Sequence, residues 1–324
     1  MTGDEMRRLA AGTLLASFPG AEVPPWLRRI AAGGLGGVCL YGSNRKADVG
    51  AVAAQLHTLR PELVIALDEE GGDVTRLEAA TGSSVPGPAA LGAVDDERLT
   101  HDVGAALGAV LRACGVDLDL APCADANSDP ANPVIGVRSF GADADLVAGH
   151  VAAFVTGLQQ SGVAACAKHF PGHGAVAVDS HLALPTVDEP ADVVRWRELV
   201  PFRAALDVGV RAVMPGHLLV PALDPEGPAT VSHRIVTGVL RGELGFTGVV
   251  VTDALDMGGA GGPSEIPANV VRALAAGADL CCLGPDNDEE LVTSCVDAVV
   301  AAIRTGALAP ERVAEAASRV AALR

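Results

Sequence analysis

Eight short apolar runs, each followed by a turn and a segment of helical length, predict an α/β protein folded as a single (β/α)8 barrel over residues 1–324. The runs are continuous rather than alternating, which fits strands buried on both faces of a parallel sheet covered by helices. No Gly-x-Gly-x-x-Gly follows the first run, which disfavours an open dinucleotide-binding sheet. No linker, repeat or low-complexity segment divides the chain, so one TIM-type barrel domain without a C-terminal second domain is the economical reading.

The elements follow in order. The first strand, 13–17, ends at Phe18-Pro19-Gly20 and is preceded by Met6-Arg7-Arg8 and a short apolar stretch. That order of charge and apolar residues also suits a secretory signal. Asp4 and Glu5 stand before it, and we expect a short helix feeding a buried strand instead. Strands two to eight are predicted at 36–40, 63–67, 116–121, 163–167, 211–214, 248–252 and 279–283. The segments 47–60, 97–114, 143–160, 191–208 and 287–305 mix polar and apolar residues at helical spacing and supply the outer layer.

Composition narrows the function. Apolar residues make up 49% of the chain, enough for a sizeable core, and the net charge of −17 argues against nucleic acid and anionic membranes as partners. No apolar run approaches a membrane span. With one Tyr, two Trp and six Phe, recognition of a sugar must rest on hydrogen bonds more than on stacking. The seven cysteines form no Cys-x-x-Cys, and Cys39, Cys166, Cys281 and Cys282 lie inside apolar runs. Reduced thiols in a cytoplasmic protein account for them best. No cofactor motif is present, and oligomeric state leaves no readable pattern.

In a (β/α)8 barrel the active site sits at the carboxyl ends of the strands. Those positions read Asp68-Glu69-Glu70-Gly71-Gly72 with Arg76, then Ala121 to Asp125 leading into Asn132 to Arg138, then Lys168-His169-Phe170-Pro171-Gly172-His173-Gly174, then Pro215-Gly216-His217, and Thr252-Asp253. Each has a plainer explanation when taken singly. Asp68 or Asp253 could cap a helix, Asp179 could fix an Asx-turn, and His173 and His217 could satisfy nearby backbone. Their convergence on one rim is the argument for an enzyme. Metal-assisted hydrolysis would want ligands such as His-x-His at the first strand's end, where Ser17-Phe18-Pro19-Gly20 stands, so no metal is expected. Gly172 and Gly174 belong to no phosphate-binding loop pattern. Glycosyl transfer to water, which needs a carboxylate, a proton donor and groups gripping hydroxyls, competes best.

Read whole, Lys168 to His181 resembles the motif of family-3 glycoside hydrolases of the NagZ type, the β-N-acetylglucosaminidases: Lys-His-Phe/Ile-Pro-Gly-x-Gly, four variable residues, Asp-Ser/Thr-His. The similarity continues through Asp68 to Arg76, Asn132 to Phe140 and Val251 to Met257, and the stretch from Ala11 to Gly20 resembles the family's first strand. The resemblance implies a retaining, exo-acting enzyme that removes terminal N-acetylglucosamine through a covalent glycosyl-enzyme on Asp253. His181 would be the acid/base, paired with Asp179, and Asp68, Arg76, Arg138, Lys168 and His169 would hold the sugar. Cytoplasmic muropeptide fragments are the implied substrates, with no cofactor.

A free imidazole titrates near ~6.5, so it can both donate and accept a proton near neutral pH. We expect Gly172 and Gly174 to let the loop move and His181 to swing in over bound sugar. Because an imidazole adds no negative charge, a phosphorylase using phosphate in the second step is the alternative within the resemblance. A silent sugar-binding protein is the alternative outside it. Asp73 stands where the family commonly has Arg. The chain ends in a helical stretch, so the acid is expected from the barrel itself.

Overall fold

The computed structural model describes residues 2–324. Its eight parallel strands are β1 (Leu14–Ala16), β2 (Gly37–Cys39), β3 (Val64–Leu67), β4 (Leu118–Asp119), β5 (Ala164–Phe170), β6 (Ala212–Pro215), β7 (Val249–Val250) and β8 (Cys281–Cys282). Consecutive strands pair in order and β8 pairs with β1. The seam between β7 and β8 closes through a Val251–Leu280 bridge and the Thr252 N–H on the Leu280 carbonyl at 2.9 Å. This is the expected (β/α)8 barrel.

Each predicted strand forms, with its regular part trimmed by polar side chains that take over ladder positions. Asp117 accepts the Ile65 N–H, Asp119 the Glu69 N–H, and Asp279 the Val250 N–H. Only β5 is longer than expected, because it runs on through Lys168 and His169 to Phe170. The barrel interior is filled by side chains of alternating size, including Leu15, Val64, Leu118, Ala164, Ala212 and Leu280. The opposite strand faces pack on the helices in a second, larger cluster.

The outer helices start where Asp side chains accept the first free N–H groups, at Asp48, Asp96, Asp143 and Asp288. They give Val49–Leu59, Glu97–Ala113, Ala144–Gln159 and Glu289–Thr305, close to the predicted segments. The segment 191–208 is less regular, with a wider π turn at Val194–Glu198 between Ala191–Val193 and Leu199–Asp207. At the amino end, the helix Gly3–Ala11 buries Ala10 and Ala11 and leads into β1, so this stretch is a structural part of the barrel. Among the described residues no helix is long and apolar enough to cross a membrane.

The end of the barrel opposite the strand carboxyl ends is sealed by the helix Pro310–Ala321, whose Val320, with Leu323 beyond it, reaches the interior cluster. Beside this plug the fully buried Asp279 is gripped by Arg241 at 2.6 Å, Arg319 at 3.2 Å and Arg312. Stability work is thus concentrated at one end, leaving the other for chemistry.

Candidate active site

A cavity of about 360 Å³ opens at the carboxyl ends of the strands. Asp68, Arg76, Arg138, Lys168, His169, His181 and Asp253 all line it, and Asp179 is bonded to His181 at its edge. Every site residue expected from sequence therefore converges on one place. Leu120 and Met214 close the floor.

Strict alternation along β5 would send Lys168 and His169 to opposite faces. The register with β6 shifts between Lys168 and Phe170, alternation breaks there, and both side chains line the cavity. Lys168 Nζ lies 2.7 Å from both Asp68 Oδ1 and Glu70 Oε1. Arg138 forks onto Glu70 through Nε at 3.0 Å and a terminal nitrogen at 2.7 Å, and Arg76 reaches Asp68 at 3.2 Å. The result is a chain of alternating charge, Arg76–Asp68–Lys168–Glu70–Arg138. Burial alone would push both carboxyls up, but Lys168 with Arg76, and Lys168 with Arg138, hold Asp68 and Glu70 below the ordinary carboxylate range. Burial likewise disfavours the Lys168 ammonium, and Asp68 and Glu70 outweigh it and hold its pKa up.

Glu70 was not among the expected residues. The signal was present, since residues two apart on an extended strand end share a face and Asp68 had been placed there. The intervening Glu69 turns away and accepts the Arg76 and Leu77 N–H groups. Asp125 is a second such residue. Its carboxylate takes the His169 Nδ1 at 2.8 Å, the backbone N–H groups of His169 and His173, and the Cys123 thiol at 3.1 Å. His169 is thereby oriented with Nε2 left for the cavity. Cys123, Asp125 and His169 have ligand-type atoms within 4.8 Å of one another and could hold a metal ion, although here the same atoms satisfy each other.

Asp253 stands beyond β7, its Oδ1 accepting the Ala254 N–H at 2.8 Å. Burial raises its pKa, but the imidazoles of His217 and His169, that N–H and Lys168 together hold the carboxyl below its usual range. His217 does satisfy a backbone group, as its plainer explanation required. The group is the Ala254 carbonyl at 2.9 Å, adjoining Asp253. His173 pairs with the Ser180 hydroxyl at 3.0 Å, and burial pushes its pKa down to about 4, so it is neutral near pH 7. Neither Asp68 nor Asp253 caps a helix.

Asp179 Oδ1 accepts both the backbone N–H and the Nδ1–H of His181 at 2.8 Å, which leaves Nε2 of His181 free. The His181 side chain is 60% exposed. Its loop rests on the turn that follows Asp253, through Gly258 N–H to the His181 carbonyl and Gly259 N–H to the Ser180 carbonyl, both at 3.0 Å. Gly172 and Gly174 serve close packing here rather than looseness. A Cβ on Gly174 would meet the Ala126 carbonyl oxygen at 1.7 Å, and one on Gly172 would meet Glu198 Oε2 at 2.4 Å. Asp73, where the resemblance would have Arg, is exposed.

A (β/α)8 barrel whose mouth combines a desolvated carboxylate, an imidazole and a fixed array of charged donors and acceptors holds the groups a glycosidase needs. The model of the glycosyl hydrolase family 3 N-terminal domain matches residues 26–323, and the chain belongs to that family. It is 39% identical over 272 residues to a protein of Chromobacterium violaceum named beta-hexosaminidase, covering 80% of this chain and 75% of that one. A protein of the same name from Nitrosomonas eutropha is 36% identical over 271 residues, covering 80% of this chain and 77% of that one.

Among solved structures, a family-3 beta-N-acetylglucosaminidase from Paenibacillus shares 39% identity at a TM-score of 0.92. All of this chain is covered, and it spans 62% of the Paenibacillus chain. A beta-N-acetylhexosaminidase from Beutenbergia cavernae shares 33% identity at 0.85, covering 99% of this chain and 98% of that one.

Proposed function

We propose that this glycosidase is a retaining, exo-acting β-N-acetylglucosaminidase. The observation that carries the proposal is that Asp253 and His181 line one cavity while Asp179 occupies Nδ1 of His181, leaving Nε2 to face the substrate. In the first step a carboxylate oxygen of Asp253 attacks C1 of the terminal sugar. The C1–O bond breaks, and Nε2 of His181 gives its proton to the departing oxygen. In the second, water attacks C1, its proton goes to His181 and the Asp253 ester is released, so two inversions retain the anomeric configuration. Asp179 orients the ring and favours its cationic form, as a carboxylate does in hydrolytic triads.

Asp68, Arg76, Arg138, Lys168 and His169 hold the sugar hydroxyls and acetamide. The closed floor supports an exo mode, with a single residue entering. The exposure of His181 supports a loop that closes over bound sugar. Muropeptide fragments in the cytoplasm are the substrates we favour, on the family resemblance and on seven free thiols, six of them buried.

Asp253→Ala should lower turnover of 4-nitrophenyl N-acetyl-β-glucosaminide by at least about 10³-fold while the circular dichroism spectrum is kept. A slow fluorinated donor should add one glycosyl mass to the peptide holding Asp253. Retained activity in the variant, or a product of inverted configuration, overturns the reading. A sugar 1-phosphate formed when phosphate is supplied would make the enzyme a phosphorylase instead.

A further inference from the structure

The carboxylates of the cavity are not equally provided for. Asp68 has Lys168 and Arg76, Glu70 has Lys168 and Arg138, Asp179 has His181, and Asp253 has the Ala254 N–H. A fifth, Asp256, lines the same cavity between the ends of β7 and β8. Its Oδ1 is buried and meets no donor. Loss of water and the neighbouring Asp253 charge push its carboxyl above the ordinary range, against the pull of its own backbone N–H.

The fold makes room for this group. Gly284, at φ +88°, faces Asp256, and a Cβ there would lie 2.0 Å from Oδ1. Asp256 lies within electrostatic reach of both Asp253 and His181, the two groups placed on either side of the bond to be broken. Oδ1 is backed by Gly284 and sealed from water, so it is through its other oxygen that Asp256 lines the cavity and can accept from a donor on a bound ligand.

We infer that Asp256 is a specificity-determining residue for the leaving group, accepting a hydrogen bond from a hydroxyl or amine of the sugar attached to the glycosidic oxygen. This rests on the assignment of Asp253 and His181 above. An aglycone sugar with a donor in reach completes the site, whereas an aryl aglycone without one leaves Asp256 unpaired. Discrimination then comes from an unmet acceptor rather than from shape.

The test compares kcat/KM for N,N′-diacetylchitobiose, whose leaving sugar has hydroxyl donors, with that for 4-nitrophenyl N-acetyl-β-glucosaminide, whose leaving group has none. Wild type, Asp256→Ala and Asp256→Asn are measured. The ratio of disaccharide to aryl glycoside should fall about tenfold in Asp256→Ala. It should fall less in Asp256→Asn, whose amide oxygen still accepts and whose near-isosteric shape guards against a folding defect. A ratio unchanged within twofold in both variants, or equal losses on both substrates, overturns the inference and leaves the glycosidase reading intact. A wild-type enzyme inactive on both substrates overturns that reading and the inference with it.

Discussion

Glu198 shows how a side chain outside the cavity can shape the pH response of the protein. It packs on the root of the β5 loop at Gly172, its Oε1 accepts the Arg197 Nε–H at 2.7 Å, and its Oε2 is buried without a donor. Burial pushes its pKa to about 7, against the ordinary 4.5. An acid raised on folding binds more protons in the folded than in the unfolded state between those two values. Its contribution to stability is therefore present at low pH and lost as pH rises through that window. Glu198→Gln should leave stability near the wild-type value at pH 4.5 and exceed it by about 1–3 kcal/mol at pH 8, read from urea midpoints at both pH values. A difference that does not change with pH would show that the carboxyl is not desolvated as described. At this scale the sequence was legible where side chains stand at strand ends. Where two like residues adjoin, as at Glu69-Glu70, period two points to Glu70 once Asp68 is placed on the cavity side, and Glu69 turns away onto the Arg76 and Leu77 N–H groups.

The elements were read well where apolar continuity dictates them and poorly where packing does. All eight strands follow from runs that only a sheet covered on both sides can bury. The register shift in β5 against β6 has no signal of its own among residues 163–170. The π turn at Val194–Glu198 was equally hidden, because a helical period with one residue too many still looks helical. The loop glycines are the instructive case. Sequence suggested freedom, and the structure shows the Ala126 backbone against Gly174 and the Glu198 side chain against Gly172. Gly174→Ala should cost about 1–3 kcal/mol and lower the Tm, because rigid carbonyl backbone occupies the space. Gly33→Ala, near a helix end with nothing within 4 Å, should instead add about 0.5 kcal/mol. Equal Tm shifts in the two variants would contradict this account.

Across the whole molecule, folding and chemistry occupy opposite ends of one barrel. Asp279 and its three arginines form the counterpart at the base of the charged chain at the mouth. Asp279→Asn leaves those cations without their shared anion and should destabilise the protein by about 3 kcal/mol, with kcat/KM per folded molecule unchanged. Thermal melts and active-site titration of the same samples separate the two effects, and a fall in kcat/KM at full occupancy would show coupling between the ends. Such long-range placement was not legible beforehand, since Arg241, Arg312 and Arg319 carry no motif and meet only when the last helix docks.

The alternating chain Arg76–Asp68–Lys168–Glu70–Arg138 has a consequence for the working enzyme. Its two carboxyls titrate below the ordinary range, while Lys168 and Arg138 titrate above theirs. No proton has to enter or leave these four groups when a sugar arrives anywhere near neutrality, and water is what the sugar displaces. In the role proposed for these groups, recognition of the sugar would therefore be insensitive to acidity near neutrality, because the ions that perform it are locked to one another.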